Sequence, residues 1–412
     1  MRLRTAYSFR VAAGELGEVA GRLREIGCGY APISDRASTF GHARWAKLTK
    51  DAGLKPVYGV ELAVSPELNR KPPVTDHWAF FAVESLEPLY KLVEKATQQF
   101  FFEPTLTYEQ ALAAPGLVKI TGRRPLLDQF GPAEDVFVAA GPSTMPGLIR
   151  AAKAAGHALV AAWDNYYPRR EDESLWECVV GPRQAGGQTW PRHILGPEEE
   201  FAGLIEKGFS AAEAAGLIEV REKLWDRCSA ALPKGALAKP ERPVTLREQC
   251  LAGARKLGCD LTRPEYAARL ERELGLIAEK DFEDYFFIVG DMVRWARDKM
   301  LVGPARGSSC GSLVCYLLEI TTIDPIPFGL LFERFIDVNR NDLPDIDLDL
   351  SETRRDLVFD YMAQKYGRER VARLGTVAVF KARSALAEAA KSLGVPAWRA
   401  DAVISSLSKR SS

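Results

Sequence analysis

The chain has 412 residues, with 55 Lys plus Arg balanced by 55 Asp plus Glu, so whole-chain charge identifies no nucleic-acid partner. Its length holds about two or three domains at ~150 residues each. No run of ~18 or more apolar residues is present to span a bilayer, and seven cysteines without C-x-x-C spacing exclude a disulfide framework or a zinc site. Met1 to Tyr7 lacks the apolar core of a signal peptide. These features place the protein in the cytoplasm as a soluble chain with reduced thiols.

Residues 1–235 read as alternating helices and strands. Glu15 to Ile26 has helical spacing and stops at Gly27; Gly29 to Ser34 is a short buried strand; Phe40 to Ala52 is helical; Lys55 to Val64 is a strand. A strand over His77 to Val83 follows, then a helix over Pro88 to Gln98, a strand over Val136 to Ala140, a helix over Leu148 to Ala155 and a strand over Ala158 to Trp163. The run Leu232 to Pro243 carries three prolines and reads as an interdomain linker. Beyond it, Thr245 caps a helix, Glu265 to Lys280 is amphipathic, and Tyr285, Phe286 and Phe287 read as core aromatics.

The stretch Gly303 to Ser312 (G-P-A-R-G-S-S-C-G-S) is a run of small residues opening onto the apolar Leu313 to Leu318. Small residues let a backbone approach an anion, and a loop feeding a helix directs unpaired N–H groups and the helix dipole at it. Arg306 adds a cation able to fork onto phosphate oxygens. The loop is no Walker A motif, since the Lys-Ser/Thr pair is missing. Further on, Leu343 to Leu350 alternates carboxylate and aliphatic side chains. As a strand it places Asp345, Asp347 and Asp349 on one face, with adjacent carboxylates ~6–7 Å apart, a spacing able to hold two divalent ions for phosphoryl transfer. Read alone, such a D-x-D is more often the edge of a solvated strand.

Between these runs lie Ile320-Thr-Thr-Ile-Asp-Pro325 and Leu330-Leu-Phe-Glu-Arg-Phe335. The order of glycine-rich loop, I-T-x-I-D-P, L-L-F-E-R-F and P-D-I-D-L-D closely resembles the α subunit of bacterial DNA polymerase III, a C-family DNA polymerase. The resemblance implies a fold that is α/β and α+β: a distorted β/α barrel of the PHP type at 1–235, the front of a nucleotidyltransferase palm at 236–376, and the start of a helical thumb at 377–412. It implies that Asp345 and Asp347 are the first two of three catalytic carboxylates, holding two Mg²⁺ ions. Arg306, Gly307, Ser308, Ser312 and Arg334 would bind the incoming deoxynucleoside triphosphate, with primer-template DNA and replisome subunits as partners. From Tyr361 to Ser412 ten basic residues face three acidic ones, which suits a nucleic-acid backbone.

The sequence also departs from the family. Where active PHP sites open on H-x-H-S-x-Y-S, this chain has Arg4-Thr-Ala-Tyr-Ser8, and Asp35, Glu61, His77 and Asp164 are the former ligands that remain. With four histidines in the whole chain, the expectation is a metal-free PHP-like scaffold without phosphoesterase activity. In the palm, Ala305 replaces a family glycine and Cys310 a family alanine. The third catalytic aspartate, in a K-F-D-x-L-G-L segment, and the fingers are not in the sequence. The function implied is therefore template-directed DNA synthesis that needs the rest of the palm from a second polypeptide or a missing C-terminal region, the chain alone being inactive. The alternative is a non-catalytic scaffold derived from the polymerase.

Overall fold

The computed structural model describes residues 1–68, 76–100, 102–181, 190–233, 235, 238–304, 306–337 and 344–406. They form two compact units, Met1–Pro233 with Val379–Ser412, and Lys234–Ala378. The division begins inside the proline-rich run predicted as a linker. Residues 379–412, within the segment expected to start a thumb, group with the first unit, where the Ala382–Ser392 helix packs on the Glu173–Val180 helix.

The first unit is mixed α/β around a curled half-barrel sheet. Its strands are β1 (Arg2–Leu3), β2 (Tyr30–Arg36), β3 (Lys55–Ser65), β4 (Asp76–Ala82), β5 (Thr105–Thr107), β6 (Leu117–Ile120), β7 (Val136–Ala140), β8 (Leu159–Ala161) and β9 (Asp164–Asn165). Hydrogen bonding runs in the order β2-β3-β4-β6-β7-β8, with β5 on β3, while β1 pairs with β9 in parallel. β1 also lies beside β2, where Ser34 Oγ donates to Leu3 O, and Arg2 N–H donates to Trp163 O next to β8. The strands predicted within residues 1–235 are all present; the short β5 and β6 lie in stretches where too few residues alternate for a pattern to register.

Both faces of the sheet are covered, which explains its nearly continuous apolar strands. In β4, Trp78 and Phe80 enter one core with Val60 and Leu62, whereas Ala79 and Phe81 point to another with Leu224 and Trp225 of the Ala211–Arg227 helix. Phe81 and Trp225 meet edge-on at 4.8 Å. Burying each such aromatic side chain contributes on the order of 2–3 kcal/mol.

His42, 2% exposed, sits between the Tyr90 hydroxyl at 3.2 Å and Gly59 O at 3.0 Å. The carbonyl must accept from Nε2–H, and in the neutral ring Nδ1 accepts from the Tyr90 hydroxyl. Burial pushes its pKa down to about 4. The unfolded chain therefore binds this proton more readily than the fold does, and the stability contribution is complete above about pH 6.5 and lost as pH falls toward about 4. We expect a His42→Asn variant to lose part of the wild type's destabilisation between pH 7.5 and 5, up to roughly 2 kcal/mol. Thermal melting of both proteins at the two pH values measures it; identical pH dependence would refute the assignment.

The second unit is mainly helical. The helices Leu246–Leu257, Pro264–Glu279 and Glu283–Lys299 pack around Phe286, Val293, Leu313, Val314 and Phe332. Thr245 caps the first of them, its hydroxyl accepting from Glu248 N–H, and Phe286 and Phe287 lie in the core as expected. Two local expectations need correction. Pro344 to Leu350 keeps the alternation, with Asp345, Asp347 and Asp349 exposed and Ile346, Leu348 and Leu350 half-buried, yet it is extended chain with a single antiparallel bridge, Leu350 to Val302. Gly303 N–H donates to Asp349 O at 2.9 Å, and the next residue, Pro304, has no N–H to continue the ladder. Leu343 lies outside the described residues. The second correction concerns the segment after the glycine-rich loop, which forms a helix of only five residues, Leu313–Leu317, whose N-terminus is already satisfied from within.

Candidate nucleotide and metal site

Three segments of the second unit converge. The loop Gly307–Gly311 winds as a short 3₁₀ turn. Gly307 has φ +66°, and a Cβ there would lie 2.8 Å from Asp347 Oδ2, so the carboxylate rests on the bare backbone of the loop. At the other end of the turn, a Cβ on Gly311 would lie 2.6 Å from Leu331 O. Glycine is thus required for close approach on both sides: toward the Asp segment and toward the L-L-F-E-R-F run. We expect Gly307→Ala to destabilise the unit by about 1–2 kcal/mol through left-handed backbone strain and to displace the Asp347 carboxylate. Melting and magnesium-dependent nucleotide titration together check this; an unchanged titration would show that the carboxylate position is unimportant.

The loop is pinned at both ends. Thr322 N–H donates to Pro304 O at 2.6 Å, and Asp324 accepts from the Tyr266 hydroxyl at 2.6 Å. Past the loop, Glu273 is fully buried and accepts from Ser312 Oγ at 2.8 Å and from the N–H groups of Leu313 and Val314 at 2.9 Å each. Ser312 Oγ in turn accepts from Cys315 N–H. The anion at this helix N-terminus is therefore the protein's own carboxylate. Ser312, expected to grip phosphate, is buried behind the loop and occupied with Glu273.

The other expected residues lie at the surface. Ser308, in the 3₁₀ turn, is half-buried, and Arg306 is 63% exposed with Nη1 3.1 Å from Asp349 Oδ1. Arg334 is exposed and, among the described residues, makes no ion pair; its neighbour Glu333 pairs with Arg272 instead. Asp345 and Asp347 share the exposed face of their segment. Behind them Tyr285 hydrogen-bonds the Ile346 backbone, and burial pushes its hydroxyl up to about 12, with Asp345 adding to the rise. Two adjacent hard oxygen ligands, one seated in a cradle that a Cβ would fill, suit magnesium. Among the described residues no three His, Cys, Asp or Glu side chains gather as a metal group, so any ion here needs further oxygen ligands. Ala305, Lys409 and Arg410 lie outside the described residues.

In the first unit the four residues expected to be former metal ligands make other contacts. Asp35 accepts from Thr5 N–H, Thr5 Oγ1 and Ser8 Oγ at 2.6–2.8 Å. Glu61, with no exposed surface, is bound by Arg2 at 2.7 Å, by Arg36 at 2.9 Å and by Arg4. Asp164 is bound by Arg2 and Arg4 at 2.9 Å each and by Arg123 at 3.2 Å. His77 pairs with Glu103 at 3.1 Å. Burial pushes the Glu61 carboxyl up, but the charges of Arg4, Arg36 and Arg2 outweigh it and hold it well below the ordinary range. Asp164 is likewise pushed up by burial and held down by Arg2 and Arg4. Guanidinium groups fill the space between the carboxylates.

Sequence reasoning missed Arg2, Arg4, Arg269, Glu273 and Tyr285. A signal existed for three of them. Arg2 and Arg4 alternate with Met1 and Leu3 at the strand period, and Glu273 interrupts the apolar stripe Tyr266, Leu270, Leu274 and Ile277. A charge on a core face demands a partner.

Residues 244–412 match the family described as bacterial DNA polymerase III alpha NTPase domain. The chain is 29% identical over 472 aligned residues to the DNA polymerase III subunit alpha of Aquifex aeolicus, covering 97% of this chain and 40% of that one. It is 30% identical to the error-prone DNA polymerase of Rhodopirellula baltica, over 98% of this chain and 38% of the relative. Over a shorter span of 150 residues, 35% of this chain and 17% of the relative, it is 49% identical to the DNA polymerase III subunit alpha of Mycoplasma pneumoniae. The chain thus spans well under half the length of these relatives.

Proposed function

Because the chain belongs to the family of bacterial DNA polymerase III α subunits, we propose that its second unit is the front of a polymerase palm that transfers deoxynucleotides to a primer when completed by a further polypeptide segment. The carrying observation is the convergence of Gly307 with Asp347 beneath an exposed carboxylate pair. Asp345 and Asp347 would hold two magnesium ions, which when bound would supply positive charge to favour loss of a proton from the primer 3′-hydroxyl and to offset charge on the departing pyrophosphate. The side chains do the positioning. Arg306 exchanges its ion pair with Asp349 for the triphosphate oxygens, the Gly307–Ser308 backbone lies against them, and exposed Arg334 supplies a second cation. Ser312 acts from behind, through Glu273.

The first unit, read as a distorted β/α barrel of the PHP type, serves as a scaffold held by Arg2, Arg4, Glu61 and Asp164 in place of a metal centre. Partners are primer-template DNA, deoxynucleoside triphosphates, replisome subunits and the segment bringing the third carboxylate and the fingers; the location is the cytoplasm. No helix among the described residues is long and apolar enough to cross a membrane. A second reading, a non-catalytic scaffold, is favoured by the Arg306–Asp349 pair, which occupies the cation meant for phosphate.

Primer extension with magnesium and all four nucleotides separates the two. It is run with this chain alone and with any polypeptide that co-purifies. Extension requiring the second polypeptide supports the polymerase reading, and absence of both extension and nucleotide binding supports the scaffold.

A further inference from the structure

One face of the Pro264–Glu279 helix touches the end of the glycine-rich loop, the I-D-P run and the start of the L-L-F-E-R-F run. Tyr266, Arg269 and Glu273 follow one another at helical i, i+3, i+7 spacing and so form a single stripe. Tyr266 holds Asp324 of the I-D-P run. Glu273 takes the Ser312 hydroxyl and the first two N–H groups after the loop. Arg269 spends Nε on Glu273 Oε1 at 2.7 Å and Nη2 on two carbonyl oxygens, Gly311 at the loop's end and Leu330 at 2.9 Å, four residues before Arg334. Both side chains are largely withdrawn from water, Glu273 wholly and Arg269 to 15% exposure.

We infer that Glu273 and Arg269 are positioning residues for nucleotide binding: a buried carboxylate–guanidinium clamp that sets the glycine-rich loop and the Arg334 turn in register. The inference rests on the polymerase reading for its functional consequence but not for the coupling itself. The loop's own side chains tie it only locally, Ser309 Oγ donating to Arg306 O at 2.9 Å, and the Phe332–Arg334 turn is only three residues long. Gly311 and Leu330 both accept from the Nη2 amino group, whose plane is held by Nε on Glu273, so their separation is set by that one group. A planar fork fixes two acceptors more rigidly than an ammonium can. Glu273 orients that fork while it satisfies the N–H groups of the following helix. Neither side chain reaches a reacting atom.

Two variants of the full chain test this, Glu273→Gln and Arg269→Lys. Hydrogen–deuterium exchange reads the coupling, and titration with magnesium and dTTP reads the consequence. Arg269→Lys keeps a charge beside Glu273 but has no second nitrogen to hold the carbonyl-binding group in a fixed plane, so amides 330–336 should exchange on the order of tenfold faster while those of Leu313 and Val314 stay protected, with dTTP binding weakened to a similar degree. Glu273→Gln should release both segments. A uniform drop in melting temperature without this selective exchange would assign the pair a merely structural role and overturn the inference. So would unchanged exchange over 330–336 in both variants. If the wild-type chain binds no dTTP, the polymerase reading fails, while the exchange result still decides the clamp.

Discussion

Removing the Glu61 carboxylate, as in Glu61→Ala, is expected to lower the stability of the first unit by about 3–5 kcal/mol. Three guanidiniums face this one side chain, two of them from Arg2 and Arg4, which are buried almost completely. Without it their charges lose a shared counter-ion in a low-dielectric interior, which is the costly way to break a buried ion pair. For a domain of this size the loss corresponds to a fall in melting temperature of roughly 10 °C. The cluster also carries a pH signature. Glu61 and Asp164 titrate below their unfolded values, so their contribution is complete above the ordinary carboxylate range and drains away as pH falls below it. Melting of wild type and Glu61→Ala from pH 7 downward tests both parts: the two curves should converge at acid pH. A shift of under 1 kcal/mol at pH 7 would mean that the arginines are adequately solvated.

Asp347→Asn is expected to reduce primer extension by the completed polymerase on the order of 10³-fold or more, since losing a metal-holding carboxylate removes several kcal/mol of charge stabilisation. Asp345→Asn should behave alike. Asp349 belongs to a different class. It pairs with Arg306 and lies two residue pairs beyond Asp345, so Asp349→Asn should leave the catalytic carboxylates intact and free Arg306. Extension rates across the three variants, with dTTP affinity measured alongside, give the comparison. Equal losses in all three would dissolve the distinction and point to a solvated acidic face with a common structural role.

How far the sequence alone reached can be judged from particular residues. The helices and long strands were legible because their apolar residues repeat at the periods that burial imposes, and the proline-rich run at 232–243 falls where the two compact units divide. The family was legible because four motifs stand in one order, and residues 244–412 match its NTPase domain. The alternation of Asp345 to Leu350 foretold which side chains are exposed and which half-buried, because extended backbone puts successive side chains on opposite faces whether or not a neighbouring strand is paired.

Pairing itself, and the state of the helix N-terminus, were decided only in three dimensions. Whether Pro304 meets the Asp segment, and whether an N–H group finds water, phosphate or a buried Glu273, depends on residues tens of positions away. Arg2 and Arg4 illustrate the same limit. Their alternation with Met1 and Leu3 went unread as a strand, and only the fold brings Glu61 and Asp164, 59 and 160 residues distant from Arg2 and Arg4 respectively, into reach of their guanidiniums. Local sequence determines period and composition. Which charge neutralises which is a property of the packed interior, where an unpaired charge is too costly to keep.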